Sequence, residues 1–191
     1  MKITDYKVML ASNSPRREEL LRGIDIGFEV KVLPDIDESY PIDLPVEEVA
    51  EFIARKKASS YIDNLEDDEL LITADTVVIL DNVIFGKPTN KEEAEEMLCA
   101  LSGKTHRVIS GVCLASNKKQ ISFSSISDVE FSELTNDEIA YYINRYAPYD
   151  KAGSYGIQEW IGFVGVKHLR GSYFNIMGLP IQRLYSEMKS F

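Results

Sequence analysis

The residue with the clearest chemical potential is Asp75, which stands in the middle of the apolar stretch 70–80. That stretch has the composition of a buried β-strand. A buried carboxylate is costly in free energy unless it is paired with a cation or bound to a metal. A bulge, or a strand face open to solvent, would also accommodate it, but so apolar a strand favours a functional role. Asp75 is therefore a candidate metal ligand, general base, or both.

A second candidate is the polar segment that runs from Ser12 to Arg17. It follows a short apolar run, and Ser14 and Pro15 are typical of a helix start. The first turn of a helix presents unpaired backbone N–H groups and the positive end of the helix dipole, which bind anions. Arg16 and Arg17 oppose that dipole, a local conflict that function often explains. A solvated basic helix start is the equally weighted alternative.

Lysines occur in three other places where they could face phosphate groups. Lys87 is fixed between a glycine and a proline, Lys56 and Lys57 lie in a helical pattern with Arg55, and Lys151 precedes a glycine-rich stretch. Each basic group taken alone is most often a solvated surface feature. Together they could supply the cation density that a polyphosphate needs.

Oxygen ligands for a divalent cation are available at Asp37 and Glu38, in a proline-interrupted acidic segment. Mg²⁺ typically takes one or two carboxylates together with phosphate oxygens. On these residues alone, an acidic surface loop is the more common arrangement.

Composition narrows the class of protein. The 191 residues contain 21 Lys and Arg against 31 Asp and Glu, a net charge of −10. Such a field repels nucleic acids and anionic membranes, so we expect neither as a partner. Without a secretory leader or a long apolar run, the sequence indicates a cytoplasmic protein. The two cysteines and two histidines are too few for a zinc site, and we expect free thiols.

The hydrophobic pattern predicts an α/β protein whose sheet has both parallel and antiparallel members, because strands and helices alternate early and strands are adjacent later. We place strands at 8–11, 28–33, 70–80, 83–85, 106–115, 121–131, 161–166 and 173–177. Helices are predicted from Ser14–Pro15 to near Gly23, over 46–62, from Thr89 or Asn90 to Leu101, from Thr135 to about Tyr146, and from Pro180 onward. His106 falls in a strand, where a structural hydrogen bond is the favoured interpretation. The tyrosines 141, 142 and 146 are at helical spacing and are expected to serve core or lobe packing.

Six segments in this order resemble the Maf-type nucleotide pyrophosphatases, also called the septum-formation protein family. They are LASNSPRREELL (10–21), ADTVV (74–78), GKP (86–88), LSGKTHRVISGV (101–112), DKAGSYGIQ (150–158) and MGLPI (177–181). The resemblance spans nearly the whole chain and implies a single domain, 1–191, of two lobes. It also implies an elongated mixed sheet flanked by helices, a central cleft as in inosine triphosphate pyrophosphatases, and a homodimer. The implied activity is metal-dependent hydrolysis of nucleoside triphosphates to monophosphate and pyrophosphate.

The resemblance also assigns roles to individual residues. Asp75 matches the catalytic carboxylate, and Glu38 matches an acidic residue near the Mg²⁺ or Mn²⁺ ion. The matching polyphosphate contacts are Lys57 and Lys87, to which the turn adds Ser12 and Arg17. The positions that set base preference are matched by Arg16, Thr76 and Gln158.

The pairing of Thr76 with Gln158 is similar to the branch of this family that acts on dTTP and UTP. Gln158 both donates and accepts hydrogen bonds, which suits the edge of uracil or thymine. Two alternatives stay open: a nucleotide-binding regulator of cell division with little catalysis, and a pyrophosphatase for inosine or xanthosine triphosphate.

Overall fold

The computed structural model of the chain describes residues 6–191. Its helices and strands, in chain order, are β1 (Lys7–Leu10), α1 (Pro15–Arg22), β2 (Phe28–Val30), α2 (Val49–Ser59), β3 (Glu69–Leu80), β4 (Val83–Phe85), α3 (Lys91–Leu101), β5 (Thr105–Ala115), β6 (Gln120–Phe131), α4 (Asn136–Tyr146), α5 (Trp160–Gly165), β7 (Val166–Arg170), α6 (Tyr173–Met177) and α7 (Ile181–Ser190). Short 3₁₀ helices cover Ile62–Asn64 and Ala152–Ser154. No helix within residues 6–191 is long and apolar enough to cross a membrane.

The strands form one seven-stranded sheet in the order β2-β1-β3-β5-β6-β7, with β4 paired to β3. β1 runs parallel to both β2 and β3. β3 with β4 and β6 with β7 are antiparallel pairs. The predicted α/β class and the mixed sheet are therefore confirmed.

Contacts divide the described chain into two compact units. The first unit comprises residues 6–75, Ser110–Ser125 and Gly178–Phe191, and the second comprises Thr76–Ile109 and Ile126–Met177. The strands β3, β5 and β6 each contribute residues to both units. That the two units make up a single domain stays a prediction.

In the first unit, α2 lies directly on the sheet. Its buried face consists of small and branched residues, Val49, Ala50, Ile53, Ala54 and Ala58. Gly111 on β5 allows the closest approach, because a Cβ at that position would lie 2.3 Å from the carbonyl carbon of Ala50. Only glycine lets two backbones come this near. The contact fixes α2 against the sheet and so determines where its lysines lie.

The second unit buries an aromatic cluster around His106. The ring of His106 packs edge-on against Phe131 and Tyr155, and its Nε2 shares a hydrogen bond of 2.8 Å with the Tyr155 hydroxyl. Burial lowers the pKa of His106 to about 4. The predicted structural role of this histidine is confirmed.

Most predicted boundaries agree with the structure, and the local reasons are visible. Asp81 and Asn82 both have positive φ, as the tight turn between β3 and β4 requires. Asn90 caps α3 by accepting from the Glu93 N–H at 2.8 Å. Thr135 and Glu138 form the predicted capping box of α4.

Two predicted strands are wrong. Residues 161–166 form most of α5, where burial of Ile161 and Gly165 follows a helical repeat, and the strand begins only at Val166. Residues 173–177 form α6, and the Ser172 hydroxyl accepts from the Asn175 N–H in its first turn at 3.3 Å. A short apolar run has no reliable period, so its type cannot be read from hydrophobicity alone.

Candidate active site

Asp75 lies on the face of β3 that α2 covers. Thr73, two residues earlier and hence on the same face of the strand, donates from its buried hydroxyl to the Ala54 carbonyl of α2 at 2.7 Å. Asp75 follows on that face, and Lys57 lies three residues beyond Ala54 on the helix. The hydrogen bond of Thr73 therefore sets the register that brings the carboxylate of Asp75 to Lys57.

Lys57 joins two carboxylates from distant parts of the chain. Its Nζ donates to Asp75 Oδ1 at 2.9 Å and lies 3.0 Å from Glu38 Oε1. The side chains of Lys57 and Asp75 are only 13% and 15% exposed, whereas that of Glu38 is 54% exposed. The strand, the helix and the acidic loop thus meet at one ammonium group.

The loop that carries Glu38 is attached to the neighbouring lysine of α2. Lys56 Nζ donates to Asp37 Oδ2 at 2.6 Å and to the Ser39 carbonyl at 2.8 Å. The hydrogen bond from Lys56, and then those from Ser39, lower the pKa of Asp37 to about 2. Both neighbours of Glu38 are held, and Glu38 itself reaches Lys57. Sequence reasoning assigned no such role to Lys56.

The turn from Ser12 to Arg17 is joined to the same strand. Arg17 donates from Nε to the Gly178 carbonyl at 2.8 Å and from Nη1 to the Ala74 carbonyl at 2.9 Å. Ser12 is buried, and its hydroxyl oxygen accepts from Arg17 and from the Ser14 N–H. Burial lowers the pKa of Arg17, and the charge of Asp75 opposes that shift.

This geometry changes two details of the predicted turn. Ser14 stands at the N-cap of α1, but its side chain makes no capping hydrogen bond. Arg17 directs these donors to backbone carbonyls, so it fastens the turn to the residue before Asp75. Arg16, in the first turn of α1, is partly exposed.

The remaining predicted site residues belong to the second unit. Thr76 is partly buried on β3, and Lys87 is exposed in the loop after β4. That loop is attached through the Gly86 carbonyl, which accepts from the Gly153 N–H at 3.0 Å. Gln158 is partly buried, and within residues 6–191 nothing donates to its buried Oε1.

Lys151 does not join a solvated basic group. Its side chain is 9% exposed, and its Nζ lies 2.7 Å from Asp150 Oδ1 and 3.2 Å from Glu159 Oε1. Glu159 also accepts from the hydroxyl of Tyr142. Of the tyrosines expected to pack in the core or between lobes, Tyr142 is fully buried, as predicted, whereas Tyr141 is half exposed. The sequence gave no sign that the Tyr142 hydroxyl would bind this acidic residue.

The donors near Asp75 could hold a divalent metal only together with ligands from outside the described residues. Across residues 6–191 no group of three or more His, Cys, Asp and Glu side chains is arranged to hold a metal ion. Asp75 and Glu38 nevertheless share one cation, the Lys57 ammonium, and two carboxylates are what Mg²⁺ takes when phosphate oxygens complete its shell. The residues fit a metal that arrives with a phosphate ligand and do not fit an all-protein cage.

Comparisons with known proteins show which family this chain resembles over its length. The profile of the Maf-like protein family matches residues 7–191. A protein of Phocaeicola vulgatus named dTTP/UTP pyrophosphatase is 59% identical over 96% of this chain and 95% of its own length. Proteins of the same name from Bacteroides thetaiotaomicron and Flavobacterium johnsoniae are 55% and 43% identical, over 96% of this chain and 95% and 94% of their own lengths.

The chain belongs to the Maf-like protein family. A solved structure of a HAM1 protein from Coxiella burnetii covers 97% of this chain and 100% of that chain at 17% identity, with a TM-score of 0.47. That likeness is too weak to support any statement about function.

Proposed function

We propose that this chain hydrolyses dTTP and UTP to the nucleoside monophosphate and pyrophosphate. The observation that carries this is the placement of Asp75, a carboxylate in an apolar strand whose Oδ1 accepts from Lys57. Lys57 also contacts Glu38, so the two carboxylates and the cation to which this proposal gives catalytic, metal-binding and phosphate-binding roles lie together. The relatives named dTTP/UTP pyrophosphatase support the choice of substrate.

In this proposal the triphosphate exchanges places with protein carboxylates around Lys57. Lys57 turns from Glu38 to a phosphate oxygen, which costs little because Glu38 is half exposed. The Ser12 hydroxyl can donate to a phosphate oxygen and Arg16 adds positive charge, whereas a phosphate contact by Lys87 rests on the family resemblance alone. Arg17 holds the turn in place and contributes its charge beside the phosphates.

The chemical step requires a water molecule, one phosphorus and one base. Water forms a bond to the α-phosphorus, the bond from that phosphorus to the bridging oxygen breaks, and pyrophosphate leaves. Asp75 takes up the proton of the water, ligates the divalent ion, or does both. A Mg²⁺ or Mn²⁺ ion held by Asp75 and Glu38 would supply Lewis-acid polarisation of a phosphoryl oxygen. Lys57 stabilises the charge that develops in the transition state.

Base preference is assigned to Thr76, Gln158 and Arg16. The amide of Gln158 can donate to a pyrimidine carbonyl and accept from its N3–H. No donor within residues 6–191 satisfies Gln158 Oε1, and an unsatisfied buried acceptor costs about 1–3 kcal/mol. A pyrimidine N3–H would remove that cost.

We also propose a cytoplasmic location, where nucleoside triphosphates occur, a homodimer, and no nucleic-acid partner.

A panel of nucleoside triphosphates with Mg²⁺ tests the function. We expect dTTP and UTP to be hydrolysed with release of pyrophosphate. ITP, XTP, GTP and ATP should react at least about tenfold more slowly, since one hydrogen bond to the base contributes about 0.5–1.5 kcal/mol net and about 1.4 kcal/mol corresponds to a factor of ten. A preference for ITP or XTP would identify the other pyrophosphatase activity. Binding without turnover would favour a regulator, and release of orthophosphate would contradict the proposal.

A further inference from the structure

We infer that Tyr142 and Glu159 are positioning residues that hold Gln158 in the orientation in which it contacts the pyrimidine. This role depends on the proposed function, because it concerns how the base is discriminated. All of the contacts that support it lie within the second unit.

Gln158 lies inside a turn whose two ends are attached to a single hydroxyl group. The turn is closed by a hydrogen bond of 3.0 Å from the Glu159 N–H to the Gly156 carbonyl. At one end, the Gly156 N–H donates to the Tyr142 hydroxyl oxygen at 3.0 Å. At the other end, that hydroxyl donates to Glu159 Oε2. Tyr142 therefore fixes the residues on both sides of Gln158.

The hydroxyl is well suited to a permanent attachment. The side chain of Tyr142 is fully buried on α4, which the capping box of Thr135 and Glu138 begins. Burial, and then the hydrogen bond to Glu159, raise the pKa of Tyr142, so the hydroxyl keeps its proton at physiological pH. A buried donor and acceptor that are both satisfied hold their partners more rigidly than exposed groups do.

The second oxygen of Glu159 is also bound. Lys151 Nζ lies 3.2 Å from Glu159 Oε1, and both side chains are largely buried, at 9% and 19% exposure. The same ammonium group also lies 2.7 Å from Asp150 Oδ1. Movement of Glu159 away from Tyr142 would therefore also break its largely buried ion pair with Lys151.

Gly156 allows the two side chains to fold back over the turn. A Cβ at this position would lie 3.0 Å from Gln158 Nε2 and 3.0 Å from Glu159 Oε2. The amide of Gln158 therefore rests against the backbone of Gly156, the residue that donates to Tyr142. Loss of the hydroxyl should release Gly156 and, through it, the amide that contacts the base.

The test compares Tyr142→Phe with Tyr146→Phe in the full chain. Tyr146 stacks on Tyr142 at a centroid distance of 5.1 Å, so its variant perturbs the same packing without removing the attachment. For Tyr142→Phe we expect KM for dTTP and UTP to rise about tenfold, kcat to stay within about threefold, and the preference over GTP to fall about tenfold. Tyr146→Phe should match wild type in all three.

A second pair of variants separates positioning from charge. Glu159→Gln keeps an oxygen that accepts from Tyr142, so it should retain most of the pyrimidine preference. Glu159→Ala removes the acceptor and should behave as Tyr142→Phe does. Equal loss of preference in both Glu159 variants would overturn the proposed attachment through Tyr142, since only the charge would then matter.

A third readout needs no turnover. Hydrogen–deuterium exchange of the free protein should be faster at the amides of 156–159 in Tyr142→Phe and unchanged in Tyr146→Phe. Unchanged exchange in Tyr142→Phe would overturn the inference whatever the activity. A fall in kcat of Tyr142→Phe with KM and base preference unchanged would also overturn the inference. In either case, hydrolysis of dTTP and UTP by the wild type would still uphold the proposed function. If wild type hydrolysed neither nucleotide, the proposed function would fail and base contact by Gln158 with it.

Discussion

The cluster around Lys57 in the first unit and the turn around Gln158 in the second unit are held by different kinds of interaction. Lys57 binds Asp75 and Glu38 through ion pairs, and Glu38 is half exposed. The turn around Gln158 is held by the buried hydroxyl of Tyr142, which accepts from a backbone N–H and donates to a carboxylate. An ion pair with a half-exposed partner, such as Lys57 with Glu38, contributes about 0–1 kcal/mol and exchanges partners easily, whereas an unsatisfied buried polar group costs about 1–3 kcal/mol.

This difference matches what each region has to do in the proposed reaction. Phosphate groups bring negative charge, so the cations that receive them need partners they can release. A base is discriminated by the positions of a few hydrogen-bonding groups, so those groups need partners that they keep. The charged cluster is therefore expected to tolerate small geometric changes but not loss of charge. The turn is expected to tolerate loss of charge but not small geometric changes.

The largest effect is expected for Asp75→Asn, which keeps the shape of the side chain and removes its charge. Turnover of dTTP and UTP should fall about 10²–10⁴-fold, the contribution of a positioned acid–base group. Affinity for UTP, measured by calorimetry on the variant, should change only severalfold, because Lys57 is then free of one carboxylate. Turnover close to that of wild type would remove Asp75 from the mechanism.

A smaller effect is expected for Lys57→Met. Lys56→Met, at the neighbouring position on α2, is the control. Lys57 donates to Asp75, the proposed catalytic carboxylate, so its loss should lower kcat/KM about 10²-fold through lost electrostatic stabilisation. Lys56 holds the flanks of Glu38 from outside the cluster, so its variant should lose a factor of a few at most. Steady-state kinetics at fixed ionic strength distinguish the two, and equal losses would show that the distinction between these lysines is wrong.

The smallest expected effect is on the free energy of unfolding and not on activity, and it arises in the buried core of the second unit. Burial lowers the pKa of His106 to about 4 from its ordinary 6.5. Between these values the unfolded chain binds a proton that the folded chain does not, so stability falls as pH decreases from about 6.5 to 4. The expected loss is of the order of 3 kcal/mol.

Urea unfolding at pH 7 and pH 4.5 measures this loss. His106→Gln should flatten the difference, and His168→Gln, at an exposed position, should leave it as in wild type. An unchanged pH dependence in His106→Gln would show that other groups control acid stability.

Sequence reasoning was most successful where a local pattern decides the structure. The apolar run with Asp75, the turn at Asp81 and Asn82, and the capping box at Thr135 each depend on neighbouring residues. The prediction of strands at 161–166 and 173–177 was wrong, because these short apolar runs have no clear period and form the helices α5 and α6. The roles of Lys57, Glu38 and the base-contacting residues came from family resemblance and stay predictions.

Other features of the candidate site depend on contacts that no local pattern contains. Arg17 donates to Gly178, which is 161 residues away in the chain. The hydroxyl of Tyr142 reaches Glu159 across 17 residues, and its helical spacing from Tyr146 indicated packing only. An alignment of covarying positions, and not a closer reading of one sequence, would be needed to find such pairs.

The hydrogen bond between Thr73 and Ala54 has a consequence for how this chain can change over evolutionary time. Because side chains alternate along β3, removal of Ala74 alone would turn Asp75 away from the helix while leaving the strand equally apolar. The same deletion would take away a carbonyl that Arg17 uses. Variation in length should therefore be far rarer here than exchange of one aliphatic residue for another, even though both leave the hydrophobic character of the segment intact.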